Sequence, residues 1–221
     1  MECPLCSGCA VPFFNSKTMA YLQCTRCHGV FVHPDNLPSP AHEQTRYLEH
    51  NNDVADPGYQ AFVTPLVQAV LGDCPPGSEG LDYGAGTGPV ASHLLTDAGM
   101  SMTLYDPFFW AHPDVLNRTY DFIICCEVME HFHRPREEFL RLRSLLRPGG
   151  TLYCMTDLYR EELHFKSWYY KDDPTHVFFY HLDSLTWIRE HLHFRSLNLN
   201  GRLVQLGTTA PQTQKDPGGL F

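Results

Sequence analysis

Residues 80–88 read Gly-Leu-Asp-Tyr-Gly-Ala-Gly-Thr-Gly, an apolar stub running into a glycine-rich turn, and a helix-forming stretch follows from about Pro89 to Asp97. No other stretch of the chain restricts the fold as much. A short buried strand, a turn whose glycines let backbone approach a ligand, and a helix opening at that ligand make half of a mononucleotide-binding βαβ unit. Gly99 stands where a helix C-cap belongs, and a second strand, Ser101–Tyr105, ends at Asp106, an acid placed to bind ribose hydroxyls. The glycine spacing narrows the ligand. Dinucleotide sites use G-x-G-x-x-G facing a pyrophosphate. Here Asp82 precedes Gly84 by two in the pattern acid-x-G-x-G-x-G, and its carboxylate repels a pyrophosphate but suits a ligand carrying a cationic amino group.

The rest of the chain extends this unit. Asp56-Pro57 reads as an N-cap with proline at the first helical position, and Tyr59, Phe62, Val63, Leu66, Val67 and Val70 follow at helical spacing. That predicts a helix to about Leu71, with Pro65 kinking or breaking it. The apolar run 120–126 suits a buried parallel strand and leads into Glu127-Val128-Met129-Glu130-His131. Pro135 opens a helix with Phe139, Leu142, Leu145 and Leu146 on one face, Arg147-Pro148-Gly149-Gly150 stops it, and residues 151–156 form the next strand. Residues 177–180 suit a strand end, Asp183 caps a helix to about His191, and residues 195–206 suit a closing hairpin.

These motifs together resemble the class I S-adenosylmethionine-dependent methyltransferases, over roughly residues 56–206. The resemblance implies an α/β, Rossmann-like three-layer sandwich with a mostly parallel sheet, and an enzyme that transfers the methyl of S-adenosylmethionine. It implies that Asp82, Gly84, Ala85 and Gly86 hold the methionine moiety, that Asp106 and the adjoining Pro107 meet the ribose, and that Cys126 and Glu127 border the cofactor from the next strand end. One departure stands out: fourteen residues separate Asp106 from Asp121, too few for a full helix–strand–helix, so the third β–α unit is abbreviated or missing. Phe108, Phe109 and Trp110 are candidates to line the adenine in its place.

Glu127, Glu130 and His131 lie at i, i+3 and i+4, so a helical turn puts them on one face at the carboxyl end of a strand, where open α/β sheets bind ligands. Two readings stay open. Either Glu127 touches the cofactor while His131, with Glu130 beside it, acts as general base, or Glu127, Glu130 and His131 hold a divalent cation. Ubiquinone-pathway O-methyltransferases and small-RNA 3′-end 2′-O-methyltransferases carry a similar metal-binding E-x-x-E-H run; such an ion lowers the pKa of the attacked hydroxyl. The aromatic segment 165–176 supplies a second candidate, His176, as base or as a further metal ligand, with Asp173 near it.

The N-terminus carries a separate signal. Cys3-x2-Cys6 and Cys24-x2-Cys27, seventeen residues apart, match a tetrahedral four-cysteine zinc site, and residues 1–34 are read as a zinc-ribbon-like segment. Gly8 and Gly29 each follow the second cysteine of a pair by two, where a turn around metal has no room for Cβ, and residues 30–32 leave as a short strand. Cys9 is a spare thiol near the site, and Cys74, Cys125, Cys126 and Cys154 fit buried, inert positions. His-Pro-Asp-Asn-Leu-Pro-Ser-Pro at 33–40 carries three prolines and turn formers; residues 35–55 are read as a linker, and residues 207–221 as a flexible tail.

Composition bears on partners. The 16 basic and 25 acidic residues give a net charge of −9, and only Lys17 and Arg26 are basic around the paired cysteines, which argues against nucleic acid and for a small-molecule methyl acceptor. No apolar run approaches ~20 residues, so no membrane insertion is expected, and with no secretory signal in view a cytoplasmic, reducing location is expected. The expected function is O- or N-methylation of a small molecule. Its alternatives are an RNA or protein methyltransferase docking through the ribbon, or a cofactor-binding protein without turnover.

Overall fold

The computed structural model describes residues 1–49 and 53–209. Its centre is a six-stranded sheet of β4 (Glu79–Tyr83), β5 (Ser101–Tyr105), β6 (Tyr120–Cys126), β7 (Leu146–Met155), β9 (Ser196–Asn200) and β10 (Leu203–Gly207), in the order β5-β4-β6-β7-β10-β9. β5, β4, β6 and β7 run parallel, and β10 is antiparallel to both of its neighbours. β5 is an edge strand: only a short 3-10 turn, Pro113–Asn117, lies between it and β6, so the third β–α unit is missing as expected.

Strand pleating sorts the core. Phe122 and Ile124 of β6, with Tyr153 and Met155 of β7, pack under α2 (Pro57–Asp73) and α3 (Val90–Asp97). The alternate residues Ile123, Cys125, Leu152 and Cys154 face α4 (Pro135–Leu145) and α5 (Leu182–His191), meeting Phe139, Leu142, Leu185 and Ile188. The result is a three-layer sandwich of helices on both faces of a mostly parallel sheet. Among the described residues no helix is long and apolar enough to cross a membrane.

Four expectations change. α2 runs through Pro65 without a break, because Pro65 and Ala61, whose carbonyl loses its partner, both lie on the exposed face. β7 begins at Leu146, not at residue 151. Tyr120 pairs with Leu146 and Phe122 with Thr151, so the Arg-Pro-Gly-Gly turn is a bulge inside the strand, with Gly149 at φ +87°. The stretch read as a linker contains α1 (Pro40–Leu48), begun by Ser39, whose Oγ accepts from the His42 amide, and by Pro40 at the first position. The supposed tail starts later: Gly207 closes β10, Thr208 bonds the Gly150 carbonyl, and residues 210–221 lie outside the described residues.

The cysteine segment forms β1 (Ala10–Asn15), β2 (Ala20–Cys24) and β3 (Val30–Val32), and its sheet has a fourth strand, β8 (Phe178–Phe179), contributed from beyond β7. Residues 177–180 suit a strand end, and Phe178–Phe179 form one, in the ribbon's sheet.

Candidate active site

The glycine turn follows from two constraints. Gly84 has φ +89°, and a Cβ there would lie 2.6 Å from both methyls of Val128, so neither conformation nor space admits a side chain. The amides of Gly84 and Ala85 bond the Tyr105 carbonyl, joining the turn to the end of β5. Asp106 fixes the turn from the other side. One carboxylate oxygen accepts from the Gly86 amide at 3.1 Å, and the other accepts from the amides of Phe108 and Phe109 at 2.8 and 3.1 Å. Trp110 donates its indole N–H to the Gly86 carbonyl at 2.7 Å, so it clamps the turn and is not on the cavity wall.

Asp82 is buried behind this turn and accepts from Ser92 Oγ at 2.7 Å. Burial pushes its carboxyl up to about 7, against the lowering by Ser92, and nearby Asp106 adds to the rise. A cation arriving beside it would favour the ionised form.

A cavity of about 1430 Å³ opens over the turn. Asp82, Gly84, Ala85, Gly86, Asp106, Pro107, Cys126 and Glu127 all border it, with Phe108 and Phe109 at one end. The same cavity is bordered by His131, Tyr169, Tyr170, Asp173 and His176, and by Glu43, Arg46 and Tyr47 of α1. α1 is tied down at two points: Glu43 meets His133 Nε2 at 2.9 Å, and Arg46 meets Asp173 at 2.9 Å. The Tyr47 ring contacts both His131 and Phe108, which line the same cavity. Sequence reasoning missed these residues, although Ser39-Pro40 carries the same cap signal that was read at Asp56-Pro57.

The acid–histidine run does not form one helical face. Glu127 takes the left-handed conformation, φ +53°, and only Met129–His131 make a 3-10 turn. The Glu127 side chain turns to Arg202 and to the Tyr170 hydroxyl at 3.1 Å. Glu127 is thereby separated from the group that does assemble: Glu130, His131 and His176, whose candidate ligand atoms lie within 4.8 Å of one another. His131 Nδ1 is 2.8 Å from the Thr175 carbonyl and His176 Nδ1 is 2.6 Å from the Tyr170 carbonyl. A carbonyl only accepts, so both Nδ1 atoms carry a proton, and in the neutral rings Nε2 is the basic atom.

Glu130 lies fully buried beneath the cavity floor and accepts from the Tyr170 hydroxyl through Oε1, while Oε2 has no hydrogen-bond partner. Burial, and then the Glu127 charge, push its carboxyl up to about 8. Burial also raises the Tyr170 phenol far above its ordinary value, which keeps it a donor to both glutamates. Cys126, on the wall, is likewise kept a neutral thiol by burial.

Cys3, Cys6, Cys24 and Cys27 converge as the spacing predicts, and Cys9 stays exposed outside them. The Cys3–Cys27 and Cys6–Cys24 sulfurs are 3.7 and 3.3 Å apart, against about 3.8 Å for tetrahedral ligands at ~2.3 Å from zinc. Amides of Gly8, Arg26 and Cys27 point at the Cys6 and Cys24 sulfurs. As free thiols these groups are poorly housed: burial pushes Cys6 up to about 12, whereas those amides hold Cys24 below its ordinary value although burial alone would raise it. The donor set fits a structural zinc ion. The left-handed residues are Ser7 and His28, so Gly8 serves space and not φ; a Cβ on it would meet Arg26 Cβ at 2.9 Å.

A family model described as a methyltransferase domain matches residues 56–198. No curated protein sequence matches the chain significantly. Among solved structures, the chain is similar to 1,6-didemethyltoxoflavin-N1-methyltransferase of Burkholderia thailandensis, bound to 1,6-didemethyltoxoflavin and S-adenosylhomocysteine, at 16% identity and TM-score 0.54, over 90% of this chain and 99% of that one. It is similar to a phosphoethanolamine N-methyltransferase 2 of Haemonchus contortus at 15% identity and TM-score 0.54, over 76% of this chain and 47% of that one. CalO1, a methyltransferase of calicheamicin biosynthesis in its S-adenosylhomocysteine-bound form, matches at 14% identity and TM-score 0.50, over 69% of this chain and 54% of that one.

Proposed function

We propose, from the premise that the chain belongs to the methyltransferase-domain family, that it transfers the methyl group of S-adenosylmethionine to an oxygen or nitrogen of a small-molecule acceptor. The cofactor occupies the glycine-turn end of the cavity, with its amino group toward Asp82, its ribose toward Asp106 and its adenine against Phe108 and Phe109. The acceptor occupies the end walled by Tyr47, Tyr169 and Tyr170. One observation carries this reading: two imidazoles, each with Nδ1–H anchored to a backbone carbonyl, border the same cavity as the glycine turn.

The acceptor's lone pair forms the new bond to carbon as the sulfonium–methyl bond breaks, the bonding pair stays on sulfur, and the acceptor proton passes to His131 or His176. Positioning and exclusion of water supply most of the acceleration, and the base adds roughly 10²–10⁴. A small acceptor suits a cavity roofed by α1, and it is what the toxoflavin-pathway relative holds beside its cofactor product.

The unpartnered, buried Oε2 of Glu130, in a group whose candidate ligand atoms lie within 4.8 Å of one another, favours a second form of the same chemistry. Glu130, His131 and His176 would hold a divalent cation, and each histidine's tether to a carbonyl is the arrangement that orients a metal-binding imidazole. Such an ion would lower the pKa of an acceptor hydroxyl. The sequence sets Glu127 with Glu130 and His131 and names His176 as a base or further ligand; of these, Glu130, His131 and His176 lie together.

The test is label from methyl-tritiated S-adenosylmethionine, incubated with deproteinised, RNA-free cell extract. Label should enter the small-molecule fraction, and His176→Gln should reduce it at least 100-fold while S-adenosylhomocysteine affinity stays within about threefold. Label entering RNA or protein when those are restored, with none in small molecules, would overturn the acceptor class. Dialysis against Mn²⁺ followed by elemental analysis should find an ion retained by the wild type and lost in Glu130→Gln if the cation form is used.

A further inference from the structure

Among the described residues none of the ribbon lines the cavity, yet the fold ties the ribbon to the strand that follows His176, which does. β3 pairs antiparallel with β8, Val30 opposite Phe179 and Phe31 opposite Phe178. One step further, the Val32 amide donates to the Val177 carbonyl at 2.9 Å, and the Val177 amide donates to the Glu130 carbonyl at 2.9 Å. Val177 adjoins His176. Both of its backbone groups are therefore committed, one to the ribbon and one to the acid–histidine turn.

Independent contacts join the metal end to the same place. Cys27, one of the four sulfur residues, accepts through its carbonyl from Ser184 Oγ at 2.7 Å. A Cβ on Gly29 would lie 2.6 Å from the Phe178 ring, so no side chain separates the ribbon from β8. Cys3, Cys6, Cys24 and Cys27 share one hydrophobic core with Tyr180 and with Leu185 and Ile188 of α5. Tyr180 in turn donates its hydroxyl to the Met129 carbonyl at 2.9 Å, one residue before Glu130. β3 itself is three residues long and leaves directly from the Cys24–Cys27 turn. So short a strand has little hold of its own, and its course depends on what fixes that turn.

We propose that the four-cysteine ribbon is a positioning element of the active site: zinc fixes the Cys24–Cys27 turn and β3, and β3 holds the Val177 segment so that His176 stays against Glu130 and His131. The inference rests on reading His176 as part of the reacting group. It assigns the ribbon to the support of His176 and makes a docked macromolecule unnecessary to explain its presence.

Hydrogen exchange resolved to single amides tests this on the full chain without any acceptor. Zinc is withdrawn by a mercurial thiol reagent and its release quantified colorimetrically, while calorimetry follows S-adenosylhomocysteine binding. Release of one zinc per chain should speed exchange at Val32 and Val177 at least tenfold, leave residues 81–86 protected, and keep cofactor-product affinity within about threefold. Val32→Pro, which removes the donor to Val177 without touching a sulfur, should retain its zinc and show the same acceleration at Val177.

Unchanged protection at Val177 after zinc release would overturn the proposal, because the ribbon would then be autonomous. Loss of protection everywhere, together with loss of S-adenosylhomocysteine binding, would overturn it equally, because zinc would then sustain the whole fold and position nothing in particular. A chain grown with zinc that carries none removes its premise. None of these outcomes depends on turnover, so a failure of the proposed reaction is read separately.

Discussion

Two carboxyls set the chemistry of the cavity by being held away from water. Asp82 is pushed up to about 7 and Glu130 to about 8, in both cases chiefly by burial. An acid whose folded value is raised is protonated in the folded state where the unfolded chain is already ionised. Its contribution to stability is therefore fully present below about pH 4 and declines until pH passes the folded value. For Asp82 the ligand-free protein should lose melting temperature between about pH 4 and 7, and Asp82→Asn should flatten that part of the profile. Binding reverses the sign. A cationic amino group recruits the ionised carboxylate, so S-adenosylhomocysteine should bind more tightly from pH 6 to 8 with release of a proton. Calorimetry in buffers of different ionisation heat measures that proton, and Asp82→Asn should abolish both the release and the pH slope. A pH-independent affinity in the wild type would assign the amino group elsewhere.

At the scale of elements, the turn after β4 and the turn after β6 are one object. Gly84 and Val128 occupy the same space, so the cofactor turn closes only against the backbone that leads to Glu130. Gly84→Ala should weaken S-adenosylhomocysteine binding at least tenfold and destabilise the fold by about 1–3 kcal/mol from overpacking and positive φ. Adding Val128→Ala should recover part of the loss, the part due to contact, and leave the part due to φ +89°. Equal losses in the single and double variants would mean that contact contributes nothing. The elements themselves were legible wherever local pattern and tertiary demand coincide: β6 and α4 from their apolar spacing, the glycine turn from its spacing and its acid, the missing third unit from a simple shortage of residues. α1 was not, because three prolines read as turn formers while Ser39-Pro40 was starting a helix. The split between Glu127 and its neighbours was not legible either. An i, i+3, i+4 count assumes a helix, and the left-handed Glu127 is imposed by Arg202 and Tyr170, which come from distant elements.

Across the whole molecule, the four-stranded sheet draws three strands from the first 32 residues and one from residues 178–179, so ribbon and sandwich share a sheet as well as a core. That pairing was invisible in sequence, where residues 177–180 carry the same apolar signature for either sheet. Such sharing predicts a single cooperative transition for the zinc-loaded chain in calorimetry, with equal calorimetric and van't Hoff enthalpies, where two beads on a linker would give two. The central claim is that one cavity seats the cofactor on the glycine turn and aims its sulfur at His131 and His176. A crystal structure grown with S-adenosylhomocysteine measures this directly. The account predicts the amino group beside Asp82, ribose hydroxyls on Asp106, adenine against Phe108 and Phe109, and the sulfur facing the two imidazoles. S-adenosylhomocysteine bound away from the 82–86 turn, or with its sulfur turned from those histidines, would contradict it.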